Sequence, residues 1–214
     1  MIISRGRRFI FVHIPKTGGT ALSLALEARA MADDILIGDT PKARRRRARI
    51  AGAQTAGRLW KHSTLADALG LYTEAEARAW FTFTLVRNPW DRMVSYYHWL
   101  RAQSFVHPAV ALAKETEFPA FLAAPLTRAS FAAAPYGSYL RLPGGPEAGQ
   151  FLRLEHLEED AAALEAHLGF RVTPLRRANA SARARDWRRY YSDADAALLA
   201  EICAEDIARF KYSF

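Results

Sequence analysis

Cysteine is nearly absent from this chain of 214 residues, with Cys203 its only example. One thiol excludes an internal disulfide and a cysteine-built metal cluster, and it fits a reducing, cytoplasmic setting. The 6 histidines show neither H-E-x-x-H nor another zinc spacing, so no metal is expected. Apolar runs stay well short of the roughly 20 residues a membrane span needs, and Arg5, Arg7 and Arg8 precede only a short apolar stretch. Neither an anchor nor a secretion signal is expected. No break in composition marks a boundary, and residues 1–214 read as one domain around one core. Cys203 falls among Leu199, Ile202 and Ile207 in a helical pattern that predicts a buried thiol.

Positive charge is in excess. A net charge of +8 is compatible with anionic partners such as nucleic acid, anionic glycans or phosphorylated nucleotides, and it does not choose among them. The densest part, Lys42, Arg44, Arg45, Arg46, Arg47 and Arg49, repels itself. It reads either as a solvated loop or exposed helix or as a docking surface for an acidic acceptor.

The most informative stretch is Phe9 to Thr20, F-I-F-V-H-I-P-K-T-G-G-T. An apolar run of β-formers reads as a strand, and the alanine-leucine pattern after Thr20 reads as a helix. Between them, Gly18 and Gly19 let the backbone turn and bring its N–H groups close to an anion. The helix N-terminus and Lys16 add positive charge, so Pro15, Lys16, Thr17, Gly18, Gly19 and Thr20 form a phosphate-binding candidate. A Walker A loop places its lysine after the last glycine, whereas Lys16 precedes both glycines, which makes this at most a relative of that loop.

A second strand-to-helix junction follows. Phe81 to Val86 alternates as a strand, Asn88 suits an N-cap and Pro89 a first helical position. Arg87 therefore stands at the mouth of a helix. Ser95 lies eight positions later, and at about 100° per residue Asn88, Arg92 and Ser95 share a face. Taken alone, Arg87 could equally form a structural ion pair. Thr73 with Glu76, Thr64 with Asp67 and Ser192 with Asp195 have capping spacing. The segment from Pro135 to Pro146 is rich in turn residues.

P-K-T-G-G-T after a strand resembles the 5′-phosphosulfate loop of the sulfotransferases that use 3′-phosphoadenosine 5′-phosphosulfate (PAPS), in particular the carbohydrate sulfotransferases and their bacterial relatives. Arg87-x-Pro89 with Ser95 resembles that family's 3′-phosphate motif. Trp60-Lys61-His62-Ser63 is similar to a segment whose histidine faces the acceptor hydroxyl. Glu155, Leu157 and Asp160 match an E-x-L-x-x-D segment, Asn179 and Ser181 an N-x-S turn, and the final D-I-A-R-F-K-Y-S-F the C-terminal pattern. Two residues before Asn179, where many relatives have histidine, this chain departs with Arg177.

The resemblance implies an α/β fold, a P-loop-NTPase-like three-layer sandwich with a mainly parallel central sheet flanked by helices. It implies in-line transfer of a sulfuryl group from PAPS to a hydroxyl on a carbohydrate acceptor, without metal. Pro15 to Thr20 would hold the 5′-phosphate, Lys16 would stabilise the leaving oxygen, Arg87 and Ser95 would hold the 3′-phosphate, and His62 would act as base. Two rivals stay open. A P-loop kinase needs a magnesium-binding carboxylate at the end of a strand, where this chain has Arg87. A basic nucleic-acid-binding module would rest on Lys42 to Arg49, yet no RNP, KH or zinc-finger pattern accompanies it, and no nucleic-acid partner is expected.

Overall fold

The computed structural model describes residues 1–176 and 183–214. The Arg177 position and the N-x-S turn lie outside the described residues. The described chain resolves into two compact units, one containing Met1–Val86 and the chain from Tyr136, the other Arg87–Pro135 and the C-terminal stretch through Phe214.

The first unit is built on five strands, β1 (Ile2–Ser4), β2 (Phe9–Val12), β3 (Ile35–Leu36), β4 (Phe81–Val86) and β5 (Gln150–Arg153). Their order is β3-β1-β2-β4-β5. β1 is antiparallel to both neighbours, while β2, β4 and β5 pair in parallel. All strands but β1 therefore run the same way, as the sequence predicts. β2 and β4 end at one edge of the sheet, with Phe9 opposite Phe81 and Phe11 opposite Phe83. The Phe11 and Phe83 rings stack at 5.3 Å, a same-face contact that holds the register.

Both faces of the sheet are covered, which is why the parallel strands read as near-continuous apolar runs. Phe9, Phe11, Phe83 and Leu85 pack with Leu22 and Leu26 of α1 (Gly19–Ala28). Ala43 of α2 (Pro41–Arg46) joins that layer. So do residues of α8 (Leu157–Asp160) and α9 (Ala162–Leu168). The alternate residues Ile10 and Val12 face the other way, onto Leu65, Tyr72 and Ala77 of α3 (Glu74–Ala79). The result is the layered α/β arrangement expected.

The second unit is helical. α4 (Pro89–Arg101) turns Trp90, Met93, Val94, Tyr97 and Leu100 inward at helical spacing. They meet α5 (Pro108–Glu115), α6 (Phe118–Ala123), α7 (Pro125–Ala132) and α10 (Asp193–Ile202). α11 (Ala204–Phe210) follows a break at Cys203, whose thiol is buried as predicted and pushed up to about 12 by that burial.

Three local differences from the sequence reading have physical causes. β1 carries few sequence cues because it is only three residues long, and pairing on both sides makes it a strand. Thr64 and Asp67 do exchange capping bonds, at 2.8 and 3.1 Å, yet the chain after them forms turns and not a helix. The basic stretch is ordered as α2 and a 3-10 turn (Arg47–Ile50), where three of its cations have carbonyl partners in the last turn of α1 and just after it. Arg46 reaches Met31 O at 2.8 Å, Arg49 reaches Ala32 O, and Lys42 reaches Glu27 O. Arg44, Arg45 and Arg47 remain exposed.

Candidate active site

In the first unit, the loop after β2 takes the shape its glycines and lysine dictate. Lys16 adopts φ 66°, a left-handed conformation that costs a side-chain-bearing residue about 1–2 kcal/mol. Gly18 follows at φ 88° and opens α1 as its N-cap. Gly19 is fixed by close approach: a Cβ there would lie 2.1 Å from the His13 ring. Thr17 is fully buried and donates its hydroxyl to Ile14 O at 3.0 Å, so that hydroxyl closes the loop from inside while Thr20 stays partly exposed.

His62 is tied to the same loop. Its Nδ1 lies 2.7 Å from the carbonyl oxygen of His13. A carbonyl only accepts, so Nδ1 carries the proton and Nε2 keeps its lone pair. Burial is the main reason that the His62 pKa falls to about 3, with Lys61 adding to the effect and the His13 carbonyl opposing it. The ring is thus neutral across the physiological range, in the tautomer that leaves Nε2 able to accept a proton. His13, its ring 4.7 Å from that of His62, is also held neutral by burial first and by neighbouring cations second. His13 was not singled out by sequence; its signal is a polar residue at the end of an apolar strand, two positions before Pro15.

Beside these groups lies a cavity of about 280 Å³, lined in part by His13, Thr20, Ser23, Glu27, Asp39 and Lys61. A second cavity of about 250 Å³ shares Asp39 and Lys61 and adds Arg47, Arg58 and Trp60. Lys61 pairs with Asp39 at 2.8 Å. Trp60 is 49% exposed and sets its ring edge-on to His62 at 5.0 Å.

In the second unit, Asn88 caps α4 through Oδ1, which accepts from Trp90 N at 3.1 Å. Arg87 donates Nε to Asp91 Oδ2 at 2.8 Å, and its Nη2 joins the same oxygen. Ser95 is buried on α4. Arg92, expected on the same face, lays its guanidinium over the Phe131 ring at 4.9 Å. Asp160, from the E-x-L-x-x-D segment, is held below the usual carboxylate range chiefly by its hydrogen bond from Arg153 in the first unit.

The sulfotransferase family model matches residues 1–213. The chain belongs to the sulfotransferase family. Membership makes it a sulfotransferase enzyme, and the P-K-T-G-G-T and Arg87–Ser95 resemblances read from sequence are consistent with that assignment. Among solved structures, it is similar to a mouse sulfotransferase, SULT7A1, complexed with PAP, at 14% identity and a TM-score of 0.46 over 93% of this chain and 82% of that one. No curated protein sequence matches this sulfotransferase. Among its described residues, no helix is long and apolar enough to cross a membrane.

Proposed function

We propose that this sulfotransferase takes its sulfuryl group from PAPS and delivers it to a hydroxyl of a carbohydrate acceptor, with both units serving one sulfotransferase domain. The observation that carries the reading is the loop Pro15 to Thr20, where left-handed Lys16 and Gly18 turn the backbone into the start of α1. A helix N-terminus with a lysine beside it favours a phosphate. The backbone N–H groups of Thr17 to Thr20 and the hydroxyl of Thr20 hold the 5′-phosphate in this reading. Arg87 and Ser95 hold the 3′-phosphate, the group that separates PAPS from ATP.

In the transfer, the acceptor oxygen forms a bond to sulfur as the bond from sulfur to the 5′-phosphate oxygen breaks. The leaving oxygen keeps the electron pair, and Lys16 stabilises the charge that develops there. The acceptor proton passes to His62 Nε2. Buried as it is, His62 is a weak base on its own; the anionic donor is the group that would stabilise the imidazolium. A carbohydrate acceptor is supported by the adjoining cavity, where Thr20, Ser23, Glu27 and Asp39 offer donors and acceptors suited to hydroxyl groups beside apolar Met1, Leu24 and Ile37.

The test is calorimetric titration with 3′-phosphoadenosine 5′-phosphate, the desulfated donor, followed by transfer of label from PAPS to a panel of neutral and acidic saccharides. Saturable binding of the nucleotide and labelled saccharide are expected. Lack of nucleotide binding at high protein concentration would remove the donor assignment, and label transfer only to non-sugar hydroxyls would remove the carbohydrate.

A further inference from the structure

We propose that Asp91 is a specificity-determining positioning residue, whose carboxylate gathers Arg87 and Arg183 into one cationic cradle that selects the donor's 3′-phosphate. This rests on the donor reading above. Asp91 stands in the first turn of α4. Its Oδ2 accepts from Arg87 Nε at 2.8 Å and from Nη2, and its Oδ1 accepts from Arg183 Nη2 at 2.6 Å. The three side chains are 13–16% exposed, so water competes poorly for these bonds.

The charge balance argues against a purely structural pair. Among the described residues, two guanidiniums meet the one Asp91 carboxylate, at a helix start that is itself partly positive. Arg183 Nη1 is buried with no hydrogen-bond partner among the described residues, and so is Nε2 of His98. The His98 pKa is lowered by burial first and by the charge of Arg183 second, which keeps that ring neutral beside the arginine. A buried N–H without an acceptor is unfavourable, and an anionic oxygen is the partner that would satisfy it. The two bonds from Arg87 Nε and Nη2 to Asp91 Oδ2 also hold the plane of that guanidinium.

Positioning and charge predict opposite signs, which makes the proposal testable. If Asp91 acted only through its negative charge, Asp91→Asn would strengthen binding of a phosphate dianion. If it orients the arginines, the same change weakens that binding. Dissociation constants are measured by calorimetry for 3′-phosphoadenosine 5′-phosphate and for adenosine 5′-phosphate, which lacks only the 3′-phosphate. Asp91→Asn is expected to weaken the first by about tenfold or more and leave the second within about twofold. Arg183→Gln is expected to shift the ratio of the two constants the same way, by a smaller factor. Unchanged or tighter binding of the bisphosphate by Asp91→Asn overturns the proposal, as does equal loss of both nucleotides. If Asp91→Asn does not fold, Asp91→Glu keeps the charge and displaces the carboxylate, and an unchanged ratio in that variant overturns the proposal too. A wild-type protein that binds the bisphosphate no better than adenosine 5′-phosphate removes the donor reading itself.

Discussion

The loop after β2 and the helix start after β4 both set positive charge at the N-terminus of a helix, yet they are made of different materials. The first is backbone: Lys16 and Gly18 at positive φ, with Gly19 held against the His13 ring. The second is side chain: Arg87 and Arg183 fastened to opposite oxygens of Asp91. A backbone site is fixed by sterics, so it should fail when atoms are added. A side-chain site is fixed by hydrogen bonds, so it should fail when one partner is removed. This difference also accounts for what each region reveals in sequence, since glycine spacing is local and an ion pair between distant positions is not.

The largest effect is expected at Lys16. Replacing it by alanine should lower the single-turnover rate by roughly a hundredfold or more, while affinity for the desulfated donor falls much less. Equal losses in both would place Lys16 in ground-state binding. Arg87→Ala should weaken the bisphosphate nucleotide by about tenfold to a hundredfold with little change in adenosine 5′-phosphate affinity. Titration of both nucleotides checks this, and parallel loss would contradict a 3′-phosphate role.

Adding atoms sharpens the other side of the comparison. Gly19→Ala places a methyl group 2.1 Å from His13 Cδ2. Overpacking of this kind typically costs about 1–3 kcal/mol, readable in a denaturant melt, and nucleotide affinity should fall with it because the loop must shift. Wild-type stability and affinity in this variant would mean that the His13 ring moves aside freely.

The pH dependence tests His62. With its pKa lowered to about 3, the ring stays neutral well below the ordinary 6.5, so kcat/KM should show no acid limb near 6.5 that vanishes in His62→Ala. Stability carries the same sign. Below about 6.5 the unfolded chain takes up protons that buried His13 and His62 refuse, so folding should weaken as pH falls from there toward 3. Thermal melts between pH 7 and 4 check it, and a stability that rises on acidification would contradict the burial of both rings.

The smallest effects belong to the exposed arginines. Arg44→Ala and Arg45→Ala should change stability within about 0.5 kcal/mol, whereas Arg46→Ala, which removes a bond to Met31 O, should cost more. Equal costs at all three positions would mean that the carbonyl contacts of Arg46 contribute nothing measurable.

Much of this was legible along the chain because it depends on neighbours. Alternation at Phe81 to Val86, the caps at Asn88, Thr73 and Ser192, and the glycine pair after Lys16 act over a few residues, and each appears where the pattern predicts. The basic stretch was legible only as charge. Its division into Arg46 and Arg49, bonded to carbonyls in the chain just after α1, and Arg44 and Arg45, exposed to solvent without such bonds among the described residues, depends on where that chain runs in space. Thr17 reads in sequence as a member of the phosphate-binding loop, and only the folded loop shows its hydroxyl donating to Ile14 O.

By itself, the sequence determined the strand-loop-helix at Phe9 to Thr20 and the caps, because periodicity, glycine freedom and capping are local, while the layered α/β plan came from its resemblance to the sulfotransferases. Tertiary structure alone decided that His62 is neutral with its proton on Nδ1, since burial and the His13 carbonyl come from a segment forty-nine positions away. It decided as well that Asp91 serves two arginines, one of them ninety-two positions distant, because only a folded core brings such groups within hydrogen-bonding distance and excludes the water that would otherwise separate them.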